Sequence, residues 1–257
     1  MNEINESYDT DSVREFTVSD ADAGPYALAE GPDGALWFTL VHRGAVARRD
    51  PDDGRVTVHP VGDGPTVIAP GPDGALWFTE YRAHRIGRIT PEGHYASFAP
   101  LTPEGGPFGI TAGPDGAMWF TLSSADRVGR VTMDGEVTEH PAPGAFPSAL
   151  TAGPDGALWC TLNQGNAIGR LTPDGHGTAY PLPTPGAAPV GIAAGPDGAL
   201  WFTEIGAGRI GRITVDGRVT SYPLSRTDCE PHGIAVHDGA LWCALETGSL
   251  ARIQVPA

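Results

Sequence analysis

The chain contains no lysine, so all 16 of its basic residues are arginines, and 31 acidic residues leave a net charge of −15. A surface this negative repels phosphate backbones and anionic lipids, which argues against nucleic acids and membrane surfaces as partners. No run approaches the ~18 apolar residues of a membrane-spanning helix, and residues 1–20 lack the apolar core of a secretory signal. Together with only three cysteines, which cannot all pair, these absences indicate a cytoplasmic protein with free thiols.

Glycine and proline are abundant by contrast, at 36 and 25 residues, and they punctuate an internal repeat. The motif Gly-Pro-Asp-Gly-Ala-Leu-Trp-Phe-Thr stands at residues 31–39, 71–79 and 195–203, with close variants at 113–121 and 153–161. All six tryptophans occupy this motif at spacings of 40, 42, 40, 42 and 41 residues: Trp37, Trp77, Trp119, Trp159, Trp201 and Trp242. Four short strands per unit of ~40 residues, separated by Gly/Asp/Pro turns, are typical of a β-propeller blade.

The sequence therefore predicts an all-β fold, a six-bladed β-propeller of four-stranded blades. We expect an N-terminal tail at residues 1–12 and one propeller domain at 13–257, with repeats at about 25–64, 65–106, 107–146, 147–188, 189–230 and 231–255. The last repeat ends after its third strand, whereas residues 13–18 resemble the fourth strands of other repeats. Pairing 13–18 with the last blade would close the ring. A closed ring needs no partner for stability, so we expect a monomer.

One blade differs from the others at the start of its first strand. A proline opens every first strand, and only the last blade flanks it with ionisable groups, in Glu230-Pro231-His232. First strands begin at one mouth of the central channel and second strands return to it, so Glu246, after the last second strand, is expected nearby. We assign Glu246 the same position in its blade as Glu80 and Glu204. Two carboxylates and an imidazole could hold a hard cation and still leave a base.

Simpler interpretations of these residues also exist. His232 could cap a neighbouring loop, and Glu246 could be a solvated carboxylate at the rim. The repeated aspartate of Gly-Pro-Asp-Gly is explained by turn chemistry, and His59 and His140 are expected on outer strands, exposed to solvent. The chain lacks the Gly-x-Ser-x-Gly elbow, the Walker A loop and the His-Glu-x-x-His motif, so no covalent hydrolase, nucleotide site or zinc protease is indicated.

The repeat Pro-x-Gly-Ile-x-x-Gly-Pro-Asp-Gly-x-Leu-Trp-Phe-Thr-Glu, followed by Ile-Gly-Arg-Ile-Thr and closing with Cys-Glu-Pro-His-Gly-Ile and Ala-Leu-Glu, resembles the virginiamycin B lyase (streptogramin B lyase) family over residues 13–255. In that family a propeller linearises a cyclic depsipeptide antibiotic by β-elimination at its ester, with magnesium. The resemblance implies that Glu230 and Glu246 bind Mg²⁺ and that His232 is the general base. At the same mouth we expect Tyr26, Phe108 and Glu204 to contact the substrate.

The chain departs from that family in two respects. Family members have seven blades and a second Pro-His on the blade before the last, whereas this chain has six repeats and reads Pro189-Val190 there. Two alternative functions therefore stay open. One is a six-bladed lactone hydrolase with a metal at the channel mouth, resembling the gluconolactonase group, and the other is a non-catalytic ligand-binding propeller. Elimination leaves the product mass unchanged, whereas hydrolysis adds a water.

Overall fold

The computed structural model describes residue 19 and residues 22–237, 239–247 and 249–253. Its first three blades contain strands β1 (Pro25–Glu30), β2 (Leu36–Leu40), β3 (Ala45–Arg49), β4 (Val56–Pro60), β5 (Pro65–Pro70), β6 (Leu76–Glu80), β7 (Arg85–Ile89), β8 (Tyr95–Phe98), β9 (Pro107–Ala112), β10 (Met118–Leu122), β11 (Arg127–Val131) and β12 (Val137–Pro141). The last three contain β13 (Pro147–Ala152), β14 (Leu158–Leu162), β15 (Ala167–Leu171), β16 (Gly177–Pro181), β17 (Pro189–Ala194), β18 (Leu200–Glu204), β19 (Arg209–Ile213), β20 (Val219–Pro223), β21 (Pro231–His237), β22 (Ala240–Leu245) and β23 (Ser249–Ile253).

Each blade is an antiparallel meander in which sequence neighbours pair. The first five blades have four strands, and the described part of the sixth has three, β21 to β23. Two short 3₁₀ turns, Ser123–Ala125 and Ile205–Ala207, are the helical elements among the described residues, and none is long or apolar enough to cross a membrane. The predicted six-bladed all-β propeller is confirmed. The closing strand expected at residues 13–18 lies outside the described residues.

The aspartate of each Gly-Pro-Asp-Gly turn ties three parts of its blade together. In blades 1 to 5 its Oδ1 accepts a hydrogen bond from the tryptophan Nε1 at 2.9–3.1 Å. Its Oδ2 accepts one at 2.6–2.7 Å from the Nε of an arginine on the third strand. The five aspartates are Asp33, Asp73, Asp115, Asp155 and Asp197. The aspartate therefore holds the tryptophan of its blade in place. Its recurrence in the repeat is explained by this structural role rather than by a calcium site.

These bonds make the fold sensitive to acid. Partial burial acts to raise the pKa of Asp115, but the hydrogen bonds from Trp119 and Arg130 outweigh it and hold that pKa below the ordinary 3.8. A depressed folded-state pKa contributes stability above the unfolded-state value, which is lost as pH falls through the folded-state pKa. We expect Asp115→Asn to destabilise the protein by about 1–3 kcal/mol near neutral pH and to shrink its difference from wild type below about pH 4. Urea unfolding across pH checks this, with exposed Asp134→Asn of the same blade as control.

An aromatic side chain on the fourth strand covers each buried tryptophan. The rings stack at centroid distances of 5.3–5.7 Å in the pairs Trp37–His59, Trp77–Phe98, Trp119–His140, Trp159–Tyr180 and Trp201–Tyr222. His59 and His140 are thus half-buried stacking partners, and the expectation that they lie exposed to solvent was wrong. The two imidazoles fill the place that tyrosine or phenylalanine fills in the other blades.

A buried threonine joins each blade to the next. The Oγ1 of Thr39, Thr79, Thr121, Thr161 and Thr203 donates, at 2.7–2.9 Å, to the carbonyl oxygen of the residue after the proline in the following blade. The same Oγ1 also accepts a backbone N–H of its own first strand. Ala244 occupies this position in the sixth blade and has no hydroxyl. The sequence therefore supplies five such links for six blades.

The first and sixth blades leave the faces that point away from the other blades uncovered. Leu28 of β1 is 68% exposed, whereas its four equivalents in blades 2 to 5 are 5–8% exposed. Leu250 of β23 is 64% exposed, whereas the equivalent valine or isoleucine is 0–1% exposed in blades 1 to 5. In the described part of the chain, blade 6 is therefore not packed on blade 1 in the way that the other blades pack on each other.

Candidate functional site

The candidate site is built by the loop that enters β21 and by the residue that follows β22. Pro231 pairs with Leu245 across the two strands. Glu246, the next residue, donates its backbone N–H to the carbonyl oxygens of Cys229 at 3.1 Å and Glu230 at 3.3 Å. These bonds lie within one blade, so the position of Glu246 beside Glu230 is set locally and does not require the ring to close.

The pairing corrects the position of Glu246 within the repeat. Proline pairs with Glu80 in blade 2 and with Glu204 in blade 5, whereas Pro231 pairs with Leu245. Glu246 therefore lies one residue later than we assigned from the sequence, at the position of Tyr81 and its equivalents in the other blades. Because neighbouring strand residues point to opposite faces, this shift explains why Glu246 is exposed while Glu80 and Glu204 are fully buried.

Glu230 adopts a left-handed backbone conformation with φ of 45°. The residue before the proline has positive φ in every blade, and it is glycine in blades 1 to 3 but Phe146, Ala188 and Glu230 in blades 4 to 6. This conformation disfavours a residue with a side chain by about 1–2 kcal/mol. The backbone strain thus belongs to the repeat, and the last blade is distinguished by the carboxylate that it places there.

A glycine substitution separates the two properties of this position. We expect Glu230→Gly to raise the free energy of unfolding by about 0.5–1 kcal/mol, because relief of left-handed strain exceeds the added entropy of the unfolded chain, and to weaken metal binding. Ala188→Gly is the matched control, since it has the same backbone conformation in the neighbouring blade. It should stabilise to a similar extent without affecting the site. Urea unfolding measures the stability of each variant, and calorimetric titration measures its Mg²⁺ binding. Equal metal binding by Glu230→Gly and wild type would contradict a role of the Glu230 carboxylate as a metal ligand.

Glu230, His232 and Glu246 converge, with one ligand atom from each lying within 4.8 Å of the others. The two glutamates are exposed and His232 is half-buried. His232 Nε2 lies 2.6 Å from Glu246 Oε1, although the two atoms are not aligned as a hydrogen bond. The structure therefore brings together the three residues that the sequence singled out.

The Glu246 carboxyl affects the titration of Glu230. A hydrogen bond with the Glu246 carboxyl and repulsion between the two negative charges raise the pKa of Glu230, against a smaller opposite effect of His232. Two adjacent carboxylates that disfavour simultaneous ionisation form an anionic site that a cation would stabilise. Oxygen ligands are those that Mg²⁺ prefers, with water or substrate completing its coordination. The donor set thus fits a magnesium ion held by Glu230 and Glu246.

The residues expected to contact a substrate are placed differently. Glu204, which we expected to contact the substrate, is 0% exposed and accepts a hydrogen bond from Ser221 Oγ at 3.0 Å, so it is a buried structural carboxylate. Phe108 is half-buried and packs edge-on against Tyr81, with ring centroids 6.4 Å apart. Tyr26 is exposed, and it lies with Leu28, Leu36 and Phe38 on the uncovered face of blade 1.

Sequence reasoning missed the residues that position His232. Thr203 Oγ1 donates to the His232 carbonyl oxygen at 2.9 Å, which fixes the backbone of the histidine against blade 5. Gly191 lies so close that an added Cβ would collide with the same carbonyl oxygen. The signal was present in the threonine of each Trp-Phe-Thr motif, but the link between blades became visible only in three dimensions.

The model of the virginiamycin B lyase family matches residues 11–235, which is most of the chain. The chain belongs to the virginiamycin B lyase family. The assignment confirms the resemblance inferred from the repeat and, with the relative described next, the lyase class that it implied.

A virginiamycin B lyase of Streptomyces coelicolor is 86% identical over 299 aligned positions, which cover 100% of both chains. Since this chain has 257 residues, 42 of those positions have no counterpart in it. The identical positions number about 257, so within rounding every residue of this chain matches the relative, and the two differ by the 42 unmatched positions. This number equals the Trp77–Trp119 and Trp159–Trp201 spacings. The chain is therefore shorter than this protein by the length of one repeat.

Two solved structures extend the comparison. A virginiamycin B lyase from Staphylococcus aureus is 35% identical with a TM-score of 0.87, covering 95% of this chain and 88% of that chain. A catalytically inactive histidine-to-alanine variant of the Staphylococcus aureus enzyme, solved with quinupristin, is 36% identical with a TM-score of 0.86, covering 93% and 87%. The blades of this chain are thus arranged as in those enzymes over almost its whole length.

Proposed function

We propose that this protein is a cytoplasmic, magnesium-dependent lyase that opens a cyclic depsipeptide of the streptogramin B type by β-elimination at its ester bond. The observation that carries the proposal is the convergence of Glu230, His232 and Glu246 in a chain of this family. The quinupristin complex of an inactive histidine variant supports both the ligand class and the need for a histidine. Three free, buried cysteines fit a reducing compartment.

In this proposal the two glutamates bind the metal and the histidine transfers the proton. Glu230 and Glu246 would hold Mg²⁺ through carboxylate oxygens. The bound ion would polarise the carbonyl next to the reacting C–H bond and stabilise the negative charge that develops on its oxygen. Glu246 also lies against the imidazole, so it restrains the ring.

His232 is the base in this scheme. It takes the proton from the carbon α to the carbonyl, and the electron pair of that C–H bond is shared with the carbonyl. As the C–O bond of the ester on the neighbouring carbon breaks, this pair forms the carbon–carbon double bond, and the carboxylate leaves with the electron pair of the C–O bond. No water enters the product. The opened chain carries one unsaturated residue and one free carboxylate, and the proton resides on the imidazole until it passes to solvent.

Metal dependence and substrate class are tested together. We expect the purified full chain to consume quinupristin in the presence of Mg²⁺, to stop after addition of EDTA and to resume with excess Mg²⁺, as followed by chromatography of the cyclic compound. Consumption that survives exhaustive chelation would overturn the role of the metal. Absence of consumption at every Mg²⁺ concentration would overturn the substrate assignment.

A further inference from the structure

The uncovered faces of blades 1 and 6 are the two halves of an interface that the chain forms elsewhere. Between blades 1 and 2, an alanine, a tryptophan and a valine of one blade (Ala35, Trp37 and Val46) pack against four apolar residues of the next (Ile68, Leu76, Phe78 and Ile89). The clusters between blades 2 and 3, 3 and 4, and 4 and 5 repeat this arrangement with equivalent residues. One pattern thus serves for blade-to-blade packing.

Blade 6 offers the first half of the pattern and blade 1 offers the second half. On blade 6 the equivalents of the alanine, tryptophan and valine are Ala240, Trp242 and Leu250. On blade 1 the equivalents of the first three apolar residues are Leu28, Leu36 and Phe38, which line an open groove together with Tyr26. Leu28, Leu36 and Leu250 are among the exposed large hydrophobic residues of the chain. Large exposed apolar patches mark interaction sites in soluble proteins.

We propose that blade 6 of one copy of this chain packs on blade 1 of a second copy, so that the protein self-associates head to tail. The contact joins two different surfaces, and such heterologous contacts extend from copy to copy. It rests on apolar packing, because Ala244 supplies no hydroxyl for the carbonyl oxygen of the next blade. The monomer expected from the sequence assumed a closed ring, whereas in the described part of the chain the apolar faces of blades 1 and 6 are exposed. The proposal is independent of the proposed catalytic function.

Two substitutions block opposite halves of the contact. Leu28→Glu places a charge on the blade 1 face, and Leu250→Glu places one on the blade 6 face. Both side chains are exposed, so neither change disturbs the interior, and thermal unfolding verifies this. Leu101→Glu is the matched control, since Leu101 is also 64% exposed but lies in the loop between blades 2 and 3.

Sedimentation velocity and light scattering over a range of protein concentrations test the proposal. We expect wild type and Leu101→Glu to exceed the monomer mass of 26.7 kDa increasingly with concentration, and each single face variant to remain at that mass. An equimolar mixture of Leu28→Glu and Leu250→Glu should form a dimer and nothing larger, because each copy retains one intact face. A wild type that stays monomeric at all concentrations, as a ring closed on itself would, overturns the proposal. Association of Leu28→Glu alone or of Leu250→Glu alone would also overturn the proposal.

Discussion

Replacing His232 with alanine is expected to lower kcat by a factor of about 10²–10⁴, the usual contribution of a positioned general base. The imidazole is the only nitrogen base of the trio, and its Nε2 lies 2.6 Å from a carboxylate oxygen of Glu246. The fold should be retained, since the ring is half-buried and the contact of this residue with blade 5 uses its backbone carbonyl. Initial rates of quinupristin opening at saturating Mg²⁺ measure the effect.

His176→Ala is the control for His232→Ala. This histidine is exposed in a turn of blade 4 and contacts Asp174, so its removal should leave kcat unchanged. The loss in His232→Ala should not be recovered by raising the Mg²⁺ concentration, whereas added imidazole should recover part of it. Full activity of His232→Ala would show that the proton is taken by another group.

Replacing either glutamate of the trio with glutamine is expected to weaken Mg²⁺ binding by about 10²-fold. Two unit charges 4 Å apart attract by about 1 kcal/mol in water, and the double charge and shorter ligand distance of Mg²⁺ raise this to a few kcal/mol. Since about 1.4 kcal/mol corresponds to a factor of ten, loss of one charged ligand accounts for that weakening. Calorimetric titration with Mg²⁺ gives the affinities, and Glu136→Gln, an exposed carboxylate of blade 3, is the control.

The two glutamine variants should differ in their activity at high Mg²⁺. Glu230→Gln should regain nearly the wild-type kcat, because it has lost only a metal ligand. Glu246→Gln should regain less, because its carboxylate also lies 2.6 Å from the His232 imidazole. Unchanged Mg²⁺ affinity in both variants would place the metal elsewhere, and complete recovery of both would remove the second role of Glu246.

The 42 positions that this chain lacks relative to the Streptomyces coelicolor enzyme do not include this trio. All three residues belong to blade 6, and the backbone bonds that bring Glu246 to Glu230 are internal to that blade. The contact that fixes the His232 carbonyl comes from blade 5, which is present.

The repeat made most of the fold predictable. Tryptophan spacing and turn residues are local signals, and they located every blade and nearly every strand. The position of Glu246 was harder, because His237-Asp-Gly replaces Gly-Pro-Asp-Gly and the last repeat reads Ala244 in place of threonine. Counting along this altered motif was wrong by one residue, and in a strand such an error exchanges the buried and exposed faces. The three residues of the trio nevertheless lie together as predicted, because Glu246 directly follows Leu245, the last residue of β22.

Long-range features were not accessible from the repeat. Whether six blades close depends on the angle that each interface imposes, and this angle results from packing across blades. The burial of Glu204 had the same origin, because its partner Ser221 lies on a different strand of the blade. His59 was predicted to be exposed to solvent, because its stacking on Trp37 joins two strands that are far apart in the sequence.

The reaction class is the central claim, and the product formed in ¹⁸O-labelled water tests it most directly. Mass spectrometry of quinupristin opened by the protein with Mg²⁺ should reveal a linear product with the mass of the cyclic compound and no labelled oxygen, because elimination forms a double bond without adding water. A product heavier by one labelled water would contradict the account and assign the trio to a hydrolase.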